Sequence, residues 1–133
     1  MHERVLQAVE ARPGAIELVQ QLRATDVRLG LASNSPRVLV DDALRTAGLL
    51  DAFEVIVTSD DVAHAKPAPD IYLLACQRLG VSPGDALALE DSASGVTAAK
   101  AAGLTVIGVP QFAETDVTAA DRVIASLEEL LAE

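Results

Sequence analysis

The stretch Leu87-Ala88-Leu89-Glu90-Asp91-Ser92-Ala93-Ser94-Gly95 runs from an apolar segment into two adjacent carboxylates and then opens a helix. An unbroken apolar run bounded by turn residues suits a strand covered on both faces, so Ala86 to Leu89 are predicted as a short buried strand. Glu90 and Asp91 then stand at its C-terminal tip, on the rim where open α/β sheets bind ligands. Two acids side by side repel each other unless a cation or a shared proton intervenes. Hard oxygen donors at such a place suit Mg²⁺, which takes one or two carboxylates and completes its shell with water or phosphate. A plainer reading stays open beside this one: Asp91 or Ser92 caps the helix that begins near Ala93.

Working outward, apolar periodicity predicts alternating strands and helices. A helix is striped at Ala15, Leu18, Val19 and Leu22, and Val27 to Ala32 form a strand. The next helix is striped at Val40, Ala43, Leu44 and Ala47, with Ser35 as N-cap and Pro36 in its first position. Val55 to Val57 are a strand, Thr58 to Pro69 a long polar loop, and a helix runs from Asp70 to Gly80. After the Glu90 strand come a helix striped at Gly95, Ala98, Ala99 and Ala102, a strand over Leu104 to Val109 and a short one at Val123-Ile124. Ser126 with Glu129 fits a capping box. Residues 2–10 read as a short helix ended by Arg12-Pro13-Gly14. Three helices end in Gly followed by an apolar residue (Gly48-Leu49, Gly80-Val81, Gly103-Leu104), the usual C-cap with its hydrophobic contact. This alternation predicts an α/β fold with a mainly parallel sheet between two helical layers, and right-handed crossovers bring every strand's C-terminus to one rim.

Composition narrows the function. The 133 residues are half hydrophobic but only 2% aromatic, so the core is aliphatic and stacking platforms for single-stranded nucleic acid are absent. Ten basic against twenty acidic residues give a formal charge of −10, which opposes binding to nucleic acid or an anionic membrane. A single cysteine, Cys76, excludes an intrachain disulfide and fits a reducing, cytoplasmic setting. It falls on an apolar helical stripe and reads as a core residue. The N-terminal residues carry charge throughout and lack the apolar core of a signal peptide, and no apolar run approaches the ~20 residues of a membrane span.

Three polar clusters fall on the predicted rim: Ser33-Asn34-Ser35, the loop holding Lys66, and Glu90-Asp91. Ser33 lies between a strand and a helix, so its hydroxyl and the adjacent amides can converge on an anion, or can simply make the turn. Lys66 precedes Pro67, which favours an extended backbone and so a defined direction for the ammonium, although a lone lysine is commonly just solvated. A hydroxyl, an ammonium and two metal-binding carboxylates on one rim suit phosphoryl transfer, where positioning and charge neutralisation do most of the catalysis. His2 and His64 lack partners at metal-ligand spacing and read as surface residues. Neither G-x-G-x-x-G nor G-x-x-x-x-G-K-[ST] occurs.

On these residues the sequence resembles the haloacid dehalogenase superfamily, specifically its β-phosphoglucomutase-like phosphatases and mutases. Leu31-Ala32-Ser33-Asn34-Ser35 is similar to the second family motif, Lys66-Pro67-Ala68-Pro69-Asp70 to the third, and Glu90-Asp91-Ser92 with Ser94-Gly95 to the fourth. The resemblance implies a Rossmann-like three-layer core. It makes Ser33 and Lys66 the catalytic candidates, Ser33, Asn34 and Lys66 the phosphate-binding set, and Glu90 and Asp91 the ligands of Mg²⁺. The implied activity is hydrolysis or transfer of the phosphoryl group of a small metabolite such as a sugar phosphate.

The family's first motif, a D-x-D whose first Asp attacks phosphorus and whose second serves as acid and base, occurs nowhere in these 133 residues. The resemblance places that motif on a central first strand ahead of a helical cap. Residues 1–12 are accordingly expected to be a cap remnant, 13–133 the core, and the chain a C-terminal portion that does not turn over alone. The missing strand is expected to leave a gap between the strands ending at Ser33 and Glu90, which close on each other or pair with another chain or a supplied segment. Two other readings remain. One is a non-catalytic module that binds phosphate and Mg²⁺ or complements a partner. The other is a receiver-like signalling domain, for which Asp60 and Asp61 are poorly placed because they lie in the lysine's own loop.

Overall fold

A computed structural model describes residues 4–7, 14–110, 112 and 114–131, with the backbone alone over residues 4–7. Among the described residues six strands form one sheet: β1 (Arg4–Gln7), β2 (Arg28–Ala32), β3 (Val55–Val57), β4 (Ala86–Glu90), β5 (Thr105–Gly108) and β6 (Arg122–Val123). Their order is β3-β2-β1-β4-β5-β6, and every neighbouring pair is parallel. The helices are α1 (Ala15–Arg23), α2 (Arg37–Ala47), α3 (Asp70–Leu79) and α4 (Ala93–Ala102). The chain is thus the three-layer, parallel α/β fold that its alternating pattern predicts.

Strand alternation divides the core between the two faces of the sheet. On one face Leu29, Leu31, Leu89 and Ile107 meet Leu18 and Val19 of α1 and Val40 and Leu44 of α2. On the other, Ala32, Ala86, Ala88 and Val106 meet α3 and the alanine stripe of α4, with Cys76 buried among them. Small residues on both sides of this second interface let α4 lie close to the sheet. Gly48, Gly80 and Gly103 cap α2, α3 and α4 at positive φ, and Leu49, Val81 and Leu104 donate their amides back five residues as the C-cap reading requires. The Ser126–Glu129 capping box is present, although it opens a 3-10 turn over Leu127–Leu130 and not an α-helix.

Two expectations are corrected. Residues 4–7 are a strand, not part of a helix, and they occupy the slot expected to be empty: Val5 stands opposite both Leu29 and Leu87, and Gln7 opposite both Leu31 and Leu89. A short helix without an N-cap is marginal, whereas a slot between two parallel strands offers partners to the backbone on both sides. The remaining residues assigned to a helix or cap remnant at the N-terminus, 1–3 and 8–12, lie outside the described residues. The second correction concerns α2, whose N-cap is Pro36, with the first helical residue Arg37. Ser35 does not cap it, because Ser33 and Asp60 supply the acceptors at that turn. Among the described residues no helix is long and apolar enough to cross a membrane.

Candidate active site

The C-terminal ends of β2, β3 and β4 bring the three polar clusters to one rim. Ser33 continues β2, donating its amide to the Val57 carbonyl at 3.0 Å, and its hydroxyl accepts from the Ser35 amide at 3.1 Å. That places a buried hydroxyl at the start of a turn leading into α2. The turn is held from outside by the next loop. Asp60 Oδ2 accepts from the Arg37 amide at 2.8 Å, which supplies the helix with the cap that Pro36 cannot. The Arg37 guanidinium reaches the Ile56 carbonyl at 2.8 Å. Asp61 turns back to cap its own segment, accepting from the Thr58 amide at 2.8 Å. Both aspartates considered for a phosphoacceptor are therefore engaged in holding the loops together.

Lys66 reaches from its loop to the C-terminal ends of β2 and β4. Its Nζ donates to Glu90 Oε2 at 2.5 Å and to the Ala32 carbonyl at 3.1 Å, and it lies 5.0 Å from the centre of the Tyr72 ring. Both side chains of the ion pair are almost fully buried, at 5% and 1% exposure. The Tyr72 hydroxyl donates to the same Glu90 oxygen. Burial pushes the Glu90 carboxyl above its ordinary range, while the Lys66 ammonium and the Tyr72 hydroxyl pull the other way. The Tyr72 phenol is pushed well up, first by burial and then by the Glu90 charge, so it remains protonated and keeps donating. On its other side the carboxylate lies against the first turn of α4, where Gly95 leaves space for it. Asp91 follows at the strand tip, half-buried, and Ser92 accepts from the Gly95 amide at 3.1 Å as the N-cap of α4. The capping reading thus holds for Ser92.

A sequence model of the haloacid dehalogenase-like hydrolases matches residues 2–103. The chain belongs to this family. It is 40% identical over 102 residues to the β-phosphoglucomutase of Bacillus subtilis, covering 74% of this chain and 43% of the relative. It is 43% identical over 122 residues to the bifunctional riboflavin kinase/FMN phosphatase of Arabidopsis thaliana, covering 90% of this chain and 32% of the relative. The crystal structure of CbbY from Rhodobacter sphaeroides in complex with phosphate superposes with a TM-score of 0.84 at 40% identity, over 90% of this chain and 55% of that one. The chain therefore spans 32% to 55% of the length of these relatives.

Within that family core, Ser33, Lys66, Glu90 and Asp91 all lie on the rim, but they are not equivalent. Glu90 faces inward and is bound to Lys66 and Tyr72, whereas Asp91 stands further out at the tip. Asn34 binds the Lys66 main chain with its side chain: Oδ1 accepts from the Lys66 amide at 2.9 Å and Nδ2 donates to the Lys66 carbonyl at 3.4 Å. Among the described residues no three His, Cys, Asp or Glu side chains converge on one point. A donor set of carboxylate oxygens alone, needing water and phosphate to complete a shell, fits Mg²⁺ and does not fit Zn²⁺. Sequence reasoning missed Tyr72 as part of this site. The available signal was its position six residues after Lys66, on the first turn of the helix that Lys66 precedes, where a buried hydroxyl requires a partner. Gly95 was read on a helical stripe and in the fourth motif but without its role: five residues after Glu90, a glycine is what lets the carboxylate lie against the helix.

Proposed function

We propose that this domain is the phosphate- and metal-binding core of a Mg²⁺-dependent phosphatase or phosphomutase acting on a small phosphorylated metabolite such as a sugar phosphate. The observation that carries the reading is the buried Lys66–Glu90 pair, whose ammonium also binds the carbonyl of Ala32, the residue before Ser33. An ammonium fixed by a carboxylate and a carbonyl is a preorganised positive group, already stripped of water and suited to a phosphoryl oxygen. The Ser33 hydroxyl and the amides of its turn donate to the remaining phosphoryl oxygens. Asp91 is the carboxylate offered to Mg²⁺, and Glu90 supports the metal site from behind while serving as counter-ion to Lys66. The metal, when bound, neutralises phosphoryl charge.

The family resemblance assigns attack on phosphorus to an aspartate of a D-x-D motif, and no such motif occurs in the sequence. The chain accordingly binds phosphate and Mg²⁺ without turning over. Its acidic charge and single buried cysteine favour a small metabolite in the cytoplasm over a nucleic acid or a membrane surface.

The test is calorimetric titration of the 133-residue chain with inorganic phosphate, with and without Mg²⁺, beside hydrolysis of a generic aryl phosphate. Binding that requires Mg²⁺ and is lost in Asp91→Ala, with no hydrolysis above that variant, is the expected result. Absence of phosphate binding would sink the reading. Hydrolysis abolished by Asp91→Ala would show that another group supplies the nucleophile.

A further inference from the structure

We infer that Asn34 is a positioning residue that sets Lys66 against Ser33, and that its side chain is not itself a phosphate ligand. This rests on the reading of Ser33 and Lys66 as the phosphoryl-binding pair. Ser33 is flanked by two residues that both hold Lys66, from opposite ends. Ala32 accepts from Nζ through its carbonyl, and Asn34 brackets the Lys66 peptide through both atoms of its amide. Asn34 and Lys66 are 32 positions apart and belong to different loops. Without the bracket, the lysine would be tied to β2 and β4 only by the end of a long flexible chain. With it, main chain and ammonium are both referenced to the turn that carries the Ser33 hydroxyl. The carboxamide of this exposed asparagine is occupied in doing this.

Backbone amide exchange of the full chain, measured by NMR, tests this directly. Asn34→Ala should speed exchange at the Lys66 amide about fivefold, the equivalent of one ordinary hydrogen bond, while amides in β4 remain unchanged as a reference for folding. Asn34→Asp keeps an acceptor and should restore the protection. In the unmutated chain, saturation with inorganic phosphate and Mg²⁺ should leave the Lys66 amide slow, and Asn34→Ala should weaken phosphate binding severalfold. An unmoved Lys66 amide in Asn34→Ala, or failure of the Asp variant to restore it, would overturn the inference. So would faster exchange at Lys66 on adding phosphate, since the carboxamide would then have swung on to the ligand. Unaltered phosphate affinity in Asn34→Ala would do so too. If the unmutated chain binds no phosphate, the proposed function fails, and the role of Asn34 in fixing Lys66 is decided by the exchange of the two variants alone.

Discussion

The carboxylate of Glu90 occupies the space where Gly95 would carry a Cβ: an alanine there would overlap Oε1 and the carboxyl carbon. Glu90 cannot retreat, because Lys66 and Tyr72 hold Oε2 from the other side. Gly95→Ala should therefore lose roughly 2–3 kcal/mol of stability in chemical denaturation, the upper range for an overpacked core. Gly48→Ala is the informative comparison. A Cβ at Gly48 meets nothing within 4 Å, so only its positive φ opposes the change, at a cost of about 1 kcal/mol. Equal losses in the two variants would contradict the close approach.

The buried ion pair predicts strong non-additivity. Lys66→Met leaves a buried carboxylate without its cation and should cost about 3–5 kcal/mol. Adding Glu90→Gln removes the stranded charge, so the double variant should be more stable than Lys66→Met alone. Tyr72→Phe removes one hydrogen bond to a charged acceptor and should cost about 1.5–3 kcal/mol. Denaturant midpoints with unchanged m-values would give all three quantities. Simple addition of the single losses would mean that the two side chains do not share the burial.

Much of this arrangement was legible in the sequence, and the failures have physical causes. The apolar runs at Val55 to Val57 and Ala86 to Leu89 read as strands, the second of them buried, and glycine at 48, 80 and 103 marked helix ends because the left-handed turn there needs no Cβ. Residues 4–7 were misread because four residues carry no period. What decides their state is the pair of open strands beside them, a tertiary fact. Ser35 looked like a cap by local rules, yet the acceptor for the Arg37 amide comes from Asp60, 23 positions away. Likewise Tyr72 and Gly95 acquire their roles only when α3 and α4 pack side by side on the β4 face of the sheet. Motif spacing located Ser33, Lys66, Glu90 and Asp91 on one rim, but not which way each side chain faces.

Acid should loosen the loop that carries Lys66. The Thr58 amide, followed in effect by the Thr58 hydroxyl and the charges of Arg37 and Arg78, holds the Asp61 carboxyl below its ordinary value, with burial opposing. A carboxyl depressed in the folded state binds fewer protons there than when unfolded. Its contribution is thus complete above its unfolded pKa of about 4 and is lost as the pH falls through the lower folded value. Urea midpoints measured downward from neutral pH should fall more steeply in the unmutated chain than in Asp61→Asn, with the two curves approaching each other at the acid end. Parallel curves would remove Asp61 from the account.

The two adjacent carboxylates should separate cleanly into structural and metal-binding roles. Glu90 is 1% exposed and surrounded by donors, so Glu90→Gln weakens a buried pair and should cost stability by about 2 kcal/mol or more. Asp91 is half-buried at the strand tip, and the isosteric Asp91→Asn removes charge without volume, so its stability should change by less than about 1 kcal/mol. Their effects on phosphate binding should invert that order. Asp91→Asn should abolish the enhancement by Mg²⁺, making the variant indistinguishable from the unmutated chain treated with a chelator. Glu90→Gln should keep a Mg²⁺ response, at lower phosphate affinity, because Lys66 has lost its anchor while Asp91 remains. If Glu90→Gln instead erased the Mg²⁺ response and left denaturation unchanged, Glu90 would be the metal's ligand, and the inward carboxylate would have to turn outward from Lys66 to reach it.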